Sequence, residues 1–532
     1  MTTLLINGRI YSPSHPDASA MAVRDGVVAW LGSDAVGRAQ FPGARVVDLD
    51  GGFVAPAFVD SHVHLTATGL MLAGLDLRPA TSRLHCLHLI GDYARARPDG
   101  PVWGHGWDET AWPEPTAPST DDLDGVLGGR PAYLARIDVH SAAASTALRA
   151  LAPDLPASGG FSAQQPLTAD AHHRVRAAAR ALLTADQRAR ARAAALDAAA
   201  AHGIVAVHEC AGPDIGGLDD WGEIRDMVHG VEVVGYWGEA AASADEARAL
   251  IEATGARGLA GDLFVDGALG SHTAWLRQPY DDAGHRGTAY LDADTIAAHV
   301  GACTEAGIPA GFHVIGDAAV TAVVDALAAV ADRRGIAAVA GCGHRLEHLE
   351  MISAEQAARL AGLGVIASMQ PNFDALWGGD DGMYARRLGR ERARLLNPLA
   401  LLASQGVPLA FGSDTPVTSM NPWETVRAAA HHHTPGSAVS VRAAFAAATR
   451  GAWRAAGIRD GITGTLVAGA PASYAVWDTG PLHVDAPMDG RDAVQRWSTD
   501  PRSRTPALPR LSADGPLPGC RQTVHRGEVI HG

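Results

Sequence analysis

The chain has no lysine: all 43 of its basic residues are arginine, in a sequence of 532. That absence excludes a lysine Schiff base, a P-loop ammonium on phosphate and a carbamylated lysine bridging two metal ions. Cysteine is also scarce. Cys86, Cys210, Cys303, Cys342 and Cys520 are odd in number, scattered and free of any Cys-x-x-Cys pair, so reduced core thiols are expected rather than a disulfide frame or a structural zinc site. No run of about 18 apolar residues occurs, and Met1 to Arg9 carries no basic stretch ahead of a long apolar core, so a cytoplasmic protein is expected. Basic excess is missing too. The formal charge of −15 argues against a nucleic-acid or anionic-membrane surface, because phosphate binding needs clustered cations.

What is present is a globular composition, 47% hydrophobic and 19% charged. At this length it suits one large barrel with an added domain, or two or three ordinary domains. A small-molecule partner is favoured, and homodimerisation is left open. Short strands are expected at Leu4 to Tyr11, Met21 to Arg24 and Val27 to Leu31, with Asp25-Gly26 as a type I′ hairpin signal. Ser473 to Trp477, Gln522 to His525 and the following Arg526 to Ile530 read similarly. A β-domain assembled from both ends follows, with parts at residues 1–57 and 460–532.

Between residues 58 and 459 the texture becomes Ala- and Arg-rich helical stretches alternating with short apolar runs, which indicates βα units and a parallel sheet. Ser353-Ala354-Glu355-Gln356 fits a capping box. Residues from about Asp170 to His202 read as one long helix or a helix pair. Residues 100–165 break the rhythm and read as an insertion, with Trp103, Trp107 and Trp112 expected near the mouth of a site.

In a parallel barrel, functional groups stand at the carboxyl ends of strands, and polar candidates recur there. They are His62 and His64, Glu209, Asp262 or Asp266, His313, His348, Gln370 and Asp414. His62 and His64 lie at i and i+2, so both imidazoles of an extended strand face one side and can chelate one ion. Imidazole with carboxylate suits zinc, and less surely iron or manganese. The run His431-His432-His433 is different: three adjacent helical residues spread over about 200°, so it is read as a packing or solvated segment.

The segments Val54 to His64, Gly106-Trp107-Asp108, Asp266 to Gly270 with Thr273-Ala274, Phe312 to Asp317, Arg345 to His348, Gln370-Pro371 and Gly412 to Pro416 occur in that order. Together they resemble the amidohydrolase superfamily, in its metal-dependent branch close to N-substituted formamide deformylases (amidohydrolase family 3). The resemblance implies an α/β fold, a distorted (β/α)8 TIM barrel with a small β-sandwich built from both termini. It also implies a zinc centre of one or two ions, with His62, His64, His313, His348 and Asp414 around it and Asp414 and His348 as catalytic groups.

One departure matters. Where this branch usually carries the bridging lysine, the sequence has Asp262, several bonds shorter and read here as structural. Glu209 is the substitute, either a metal ligand or a buried structural acid. Trp107, Asp108, Arg345 and Gln370 are candidate substrate-binding residues, although Trp107 and Asp108 could equally be packed anchors and Arg345 an internal ion-pair partner. A second small departure is His272, where arginine is more usual.

The chemistry expected is hydrolysis of a non-peptide C–N bond, as in removal of a formyl or other acyl group. Asp414 would take a proton from the attacking water and pass it to the leaving nitrogen, and His348 would help stabilise the oxyanion. The alternatives are a hydrolytic deaminase of a cyclic amidine with a mononuclear site, and a catalytically silent scaffold.

Overall fold

The computed structural model describes residues 1–484 and 505–532. Its centre is parallel. Strands β1 (Phe58–Val63), β2 (Ile204–Ala211) and β3 (Glu232–Trp237) form one sheet in the order β3-β2-β1. Strands β4 (Gly311–Val314), β5 (Arg345–His348), β6 (Ile366–Met369) and β7 (Leu409–Phe411) form a second in sequence order. Every residue of β1, β2, β4, β5 and β6 is buried. Strands covered on both faces carry near-continuous apolar runs rather than alternation.

Isolated parallel bridges link the two sheets. Val63 pairs with Thr415 just beyond β7, and on the other side residues 258–264 connect Tyr236 to Gly258, Leu259 to Ala310 and Phe264 to His313. That connecting segment forms no regular strand, so its backbone is free to depart from the neighbouring pleat. Helices alternate with the strands and bury one face each. Ser353 does close a capping box, its hydroxyl accepting from Gln356 N–H while Gln356 Oε1 accepts from Ser353 N–H.

The first of these helices, α1 (Leu65–Ala73), directly follows β1. The stretch from Asp170 to His202 is a pair, α2 (Ala169–Ala181) and α3 (Ala185–Ala201), the second started by a capping box at Thr184. Residues 100–165 are more regular than an insertion suggests. Val102–Trp107 and Ala132–Arg136 pair in parallel inside a five-stranded sheet that runs from Leu75–Asp76 to Leu167–Thr168.

The two ends of the chain supply two further sheets. One is built from Thr2–Ile6, Ala20–Arg24, Val27–Gly32 and Arg45–Asp48, the other from Arg9–Ile10, Phe53–Pro56, Tyr474–Asp478, Gly519–His525 and Glu528–His531. Leu5, Met21 and Val28 of the first share an apolar core with Val54, Tyr474 and Val524 of the second. The Asp25-Gly26 turn has φ of 51° and 76°, as a type I′ hairpin requires. The single strand expected from Leu4 to Tyr11 is corrected: Asn7, at φ 54°, divides it between the two sheets. Phe53–Pro56 leads through Ala57 into β1, so one continuous segment ties the terminal sheets to the strand that bears His62. Among the described residues no helix is long and apolar enough to cross a membrane.

Helix α1 lies against α3 at Gly69, where an added Cβ would stand 1.8 Å from the Ala191 carbonyl oxygen. Alanine ordinarily favours a helix over glycine by about 1 kcal/mol. Here a fixed backbone oxygen meets the methyl, and overpacking of this kind costs about 1–3 kcal/mol. Gly69→Ala is therefore expected to lower the denaturant midpoint with the slope unchanged; a raised midpoint would show that the two helices are not held at this distance.

Candidate metal centre

The site forms where β1, the connecting segment 258–264, β4, β5 and the turn after β7 end together. Backbone pairing sets the first part: Asp414 N–H donates to His62 O at 2.8 Å and His64 N–H to Thr415 O at 3.0 Å. Asp60 holds that turn from below, with Oδ1 accepting from Ser413 N–H at 2.9 Å and Oδ2 from the Ser413 hydroxyl at 2.6 Å. Burial pushes the Asp60 carboxyl up to about 6, although these hydrogen bonds oppose it. Asp414 (φ 54°) and His348 (φ 71°) both sit in left-handed backbone, which costs about 1–3 kcal/mol for such residues and persists only where the surroundings impose it.

Asp262 stands in the middle of the cluster. Its Oδ2 is 3.1 Å from His64 Nε2, and its Oδ1 is 3.4 Å from His62 Nε2, 3.7 Å from His313 Nδ1 and 4.0 Å from His348 Nε2. Asp414 Oδ1 lies 3.4 Å from His62 Nε2 and 3.3 Å from His64 Nε2. Short as it is, the Asp262 side chain is brought by the backbone into the cluster rather than held apart from it. The backbone itself comes in. A Cβ on Gly238 would stand 2.7 Å from the Asp262 carbonyl, and one on Gly261, at φ 76°, would stand 3.0 Å from Cys210 Cβ. At Gly238 and Gly261 the irregular segment therefore packs closer to its neighbours than a side chain would allow.

Partners behind the ring fix which nitrogen of His62, His348 and His313 faces the centre, whereas His64 Nδ1 is buried without a hydrogen-bond partner. His62 Nδ1–H donates to Glu347 Oε2 at 2.9 Å, and His348 Nδ1–H donates to Gln370 Oε1 at 2.7 Å, leaving both Nε2 atoms inward. His313 does the reverse, with Nε2–H on the Gly267 carbonyl at 3.4 Å and Nδ1 inward. Arg345 in turn grips Glu347 through two hydrogen bonds of 2.5 and 2.9 Å and lies 4.3 Å from the Tyr236 ring centre. Burial works against the Glu347 anion, yet Arg345 and His62 hold its carboxyl well below the usual range.

These atoms suit a divalent ion. His62 Nε2, Asp262 Oδ1 and His313 Nδ1 are buried with no hydrogen-bond partner. Unpaired buried polar atoms are costly, and three of them aimed at one place call for a shared ligand. The inward atoms of His62, His64 and Asp262, of His62, His348 and Asp414, and of Asp262, His313 and His348 each lie within 4.8 Å of one another. Without an ion, protons must balance the two carboxylates: burial disfavours the imidazolium, but Asp262 and Asp414 draw His64 up to about 9. His348 behaves oppositely, pushed down to about 3 by burial and by His313. Its Nε2 faces the Asp262 carboxylate at 4.0 Å.

The other sequence candidates fall elsewhere. Glu209 is in none of these groups; its Oε2 accepts the Leu65 N–H at 2.8 Å, at the start of α1 beside His64, and burial lifts it to about 7. Trp107 is buried with its indole N–H on Leu134 O, and Asp108 pairs with Arg136 at 2.9 Å, so neither lines the cavity over the site. Arg345 bonds Glu347, and Gln370 bonds His348 directly. His272 pairs with Asp282, and of the histidine run His432 and His433 pair with Asp374. Trp103, His140, His173, Arg176 and Arg180 do line the cavity with His64, Asp262, His313, His348 and Asp414. Of these only Trp103 was placed there by sequence.

The amidohydrolase family model matches residues 45–531. The chain belongs to the amidohydrolase family. Among curated proteins, Protein LONG AFTER FAR-RED 3 of Arabidopsis thaliana is 27% identical over 529 residues, 90% of this chain and 87% of that one. N-substituted formamide deformylase of Arthrobacter pascens is 24% identical over 511 residues, 90% and 93% of the two chains. A metal-dependent hydrolase of Pyrococcus furiosus, known by its crystal structure, is 27% identical with a TM-score of 0.68, covering 90% of this chain and 100% of that one.

In this amidohydrolase the Glu347 carboxylate accepts from His62 Nδ1–H, on the side of the ring away from Asp262 and Asp414. Groups in that position typically contribute about 10–100-fold to metal affinity. Glu347→Gln is expected to weaken metal binding by that factor in competition with a chelator, and unchanged affinity would remove Glu347 from the account of the site.

Proposed function

We propose that this amidohydrolase is a metal-dependent hydrolase of a non-peptide C–N bond, of amide or formamide type, in a small molecule. The observation that carries the proposal is the convergence of His62, His64, His313, His348, Asp262 and Asp414 at one end of a cavity. We read the parallel pairings as a distorted (β/α)8 barrel over residues 58–459. The terminal sheets that share a core are read as a small β-sandwich from 1–57 and 460–532.

Zinc is the ion favoured by imidazole and carboxylate donors, with iron and manganese open to the same set. His62, His64 and Asp414 would hold one ion, His313 and His348 a second, and Asp262 would be shared between them. A divalent ion supplies Lewis acidity, which polarises an acyl oxygen and makes water acidic enough to attack near neutral pH. The chain's own work is positioning and proton transfer. Asp414 lies at the cavity wall with Oδ1 turned to His62 and His64; its carboxylate would accept the proton of the attacking water and deliver it to the leaving nitrogen. Glu347, Gln370 and the Gly267 carbonyl hold the imidazoles in place. The aromatic rings of Trp103, Tyr133 and Phe264 line the cavity and would keep bulk water from the reacting carbon.

The test is product analysis on matched panels of N-formyl and N-acetyl amines and of cyclic amidines. Carboxylic acid release is expected, with kcat lowered about 10²–10⁴-fold in Asp414→Asn. Ammonia without acid would assign the site to hydrolytic deamination instead, and failure to turn over either panel with metal bound would favour a silent scaffold.

A further inference from the structure

Helix α2 presents an unexplained pair of cations to the same cavity. His173, Arg176 and Arg180 fall within about 60° of one helical face, and all three line the cavity that holds the candidate metal ligands. Arg176 is only 9% exposed. A guanidinium has five N–H donors and is costly to bury without acceptors. Its NH2 group donates to the Asp214 carbonyl at 2.6 Å, but its Nε is buried with no partner. Among the described residues no carboxylate lies within ion-pair distance of Arg176, whereas Arg136, buried at the other end of the same region, pairs with Asp108, Glu109 and Asp138.

Arg180 is one turn further on. Its only ion pair among the described residues is a 3.4 Å contact to Asp220, which already receives a closer 2.9 Å bond from Arg192 and the Thr66 hydroxyl. The Asp214 carboxylate acts on Arg176 only from beyond ion-pair distance, so the buried guanidinium keeps its Nε donor without an acceptor.

We propose that the substrate carries a carboxylate, received by Arg176 and Arg180 of α2 while its acyl–nitrogen bond lies at the metal centre. The inference rests on the C–N hydrolysis reading for the second half of that statement only. A carboxylate supplies one negative charge and two acceptor oxygens, which fits one unpaired guanidinium with a second, weakly engaged one beside it. The rings of Trp103, Tyr133 and Phe264 stand along the cavity and suit an apolar group between the carboxylate and the scissile bond.

The experiment pairs two probes that differ only in charge, racemic N-formylphenylalanine and its carboxamide, on metal-loaded enzyme. The acid is expected to exceed the amide in kcat/KM by about 10–100-fold, the range of a charged hydrogen bond. Arg176→Gln and Arg180→Gln should remove most of that preference by acting on the acid alone, with metal content and melting temperature unchanged, and Arg176→Lys should restore part of it. Equal kcat/KM for the two probes, or variants that lower both alike, would overturn the proposal. A second arm needs no chemistry: calorimetric binding of 3-phenylpropionate against 3-phenylpropionamide. Tighter binding of the acid that Arg176→Gln abolishes supports the arginine site even if neither formyl probe turns over. Binding indifferent to Arg176→Gln would place the carboxylate on the metal and overturn it.

Discussion

Two carboxylates, Asp262 and Asp414, are buried among four imidazoles with no arginine or lysine paired to either among the described residues. Much of the surrounding structure follows from that unbalanced charge. Burying an ion is tolerable only with a counter-charge and satisfied hydrogen bonds, and here the counter-charge must be protons on His62 and His64 or a cation in their place. Neighbouring acids are treated otherwise. Glu347 is paired with Arg345, Asp266 accepts three backbone N–H groups from Trp275, Ile315 and Gly316, and Asp60 is held by Ser413. The fold thus pairs the supporting carboxylates internally and surrounds the central two with imidazoles that could hold a metal ion.

Holding those two in place has a backbone cost that is visible in the structure. Asp414 and His348 lie at positive φ, and Asp262 sits on a segment that forms no regular strand between β3 and β4. Gly238 and Gly261 remove the side chains that would keep that segment out. The short aspartate therefore reaches the centre through backbone placement, where a lysine would reach it through four methylenes.

Sequence alone located much of this. His62, His64, His313, His348 and Asp414 follow apolar runs in parallel-sheet texture, and a residue just past such a run is carried to one end of the sheet whatever the details. Asp25-Gly26 and Ser353 to Gln356 were legible because turn and cap chemistry is local. Asp262 was legible as one of two strand-end candidates but not as a member of the cluster, since that depends on close approaches at Gly238 and Gly261 that the sequence does not show. The α2 arginines were missed for a similar reason: a basic stripe on a helix reads as a solvated face until the residues packed over it are known. Asn7 broke an apparent strand because a left-handed asparagine leaves no periodic trace. Glu209 stands beside His64 at a strand end, and its Oε2 accepts the first N–H of α1, a bond that spacing alone does not reveal.

The claim that everything else leans on is that Asp262 is shared between two sets of metal ligands. Elemental analysis of metal per chain, for the wild type and Asp262→Ala expressed under identical metal supply, tests it most directly. Two ions per chain are expected in the wild type, and one or none in the variant. The same number in both proteins would contradict the account and return Asp262 to a purely structural role.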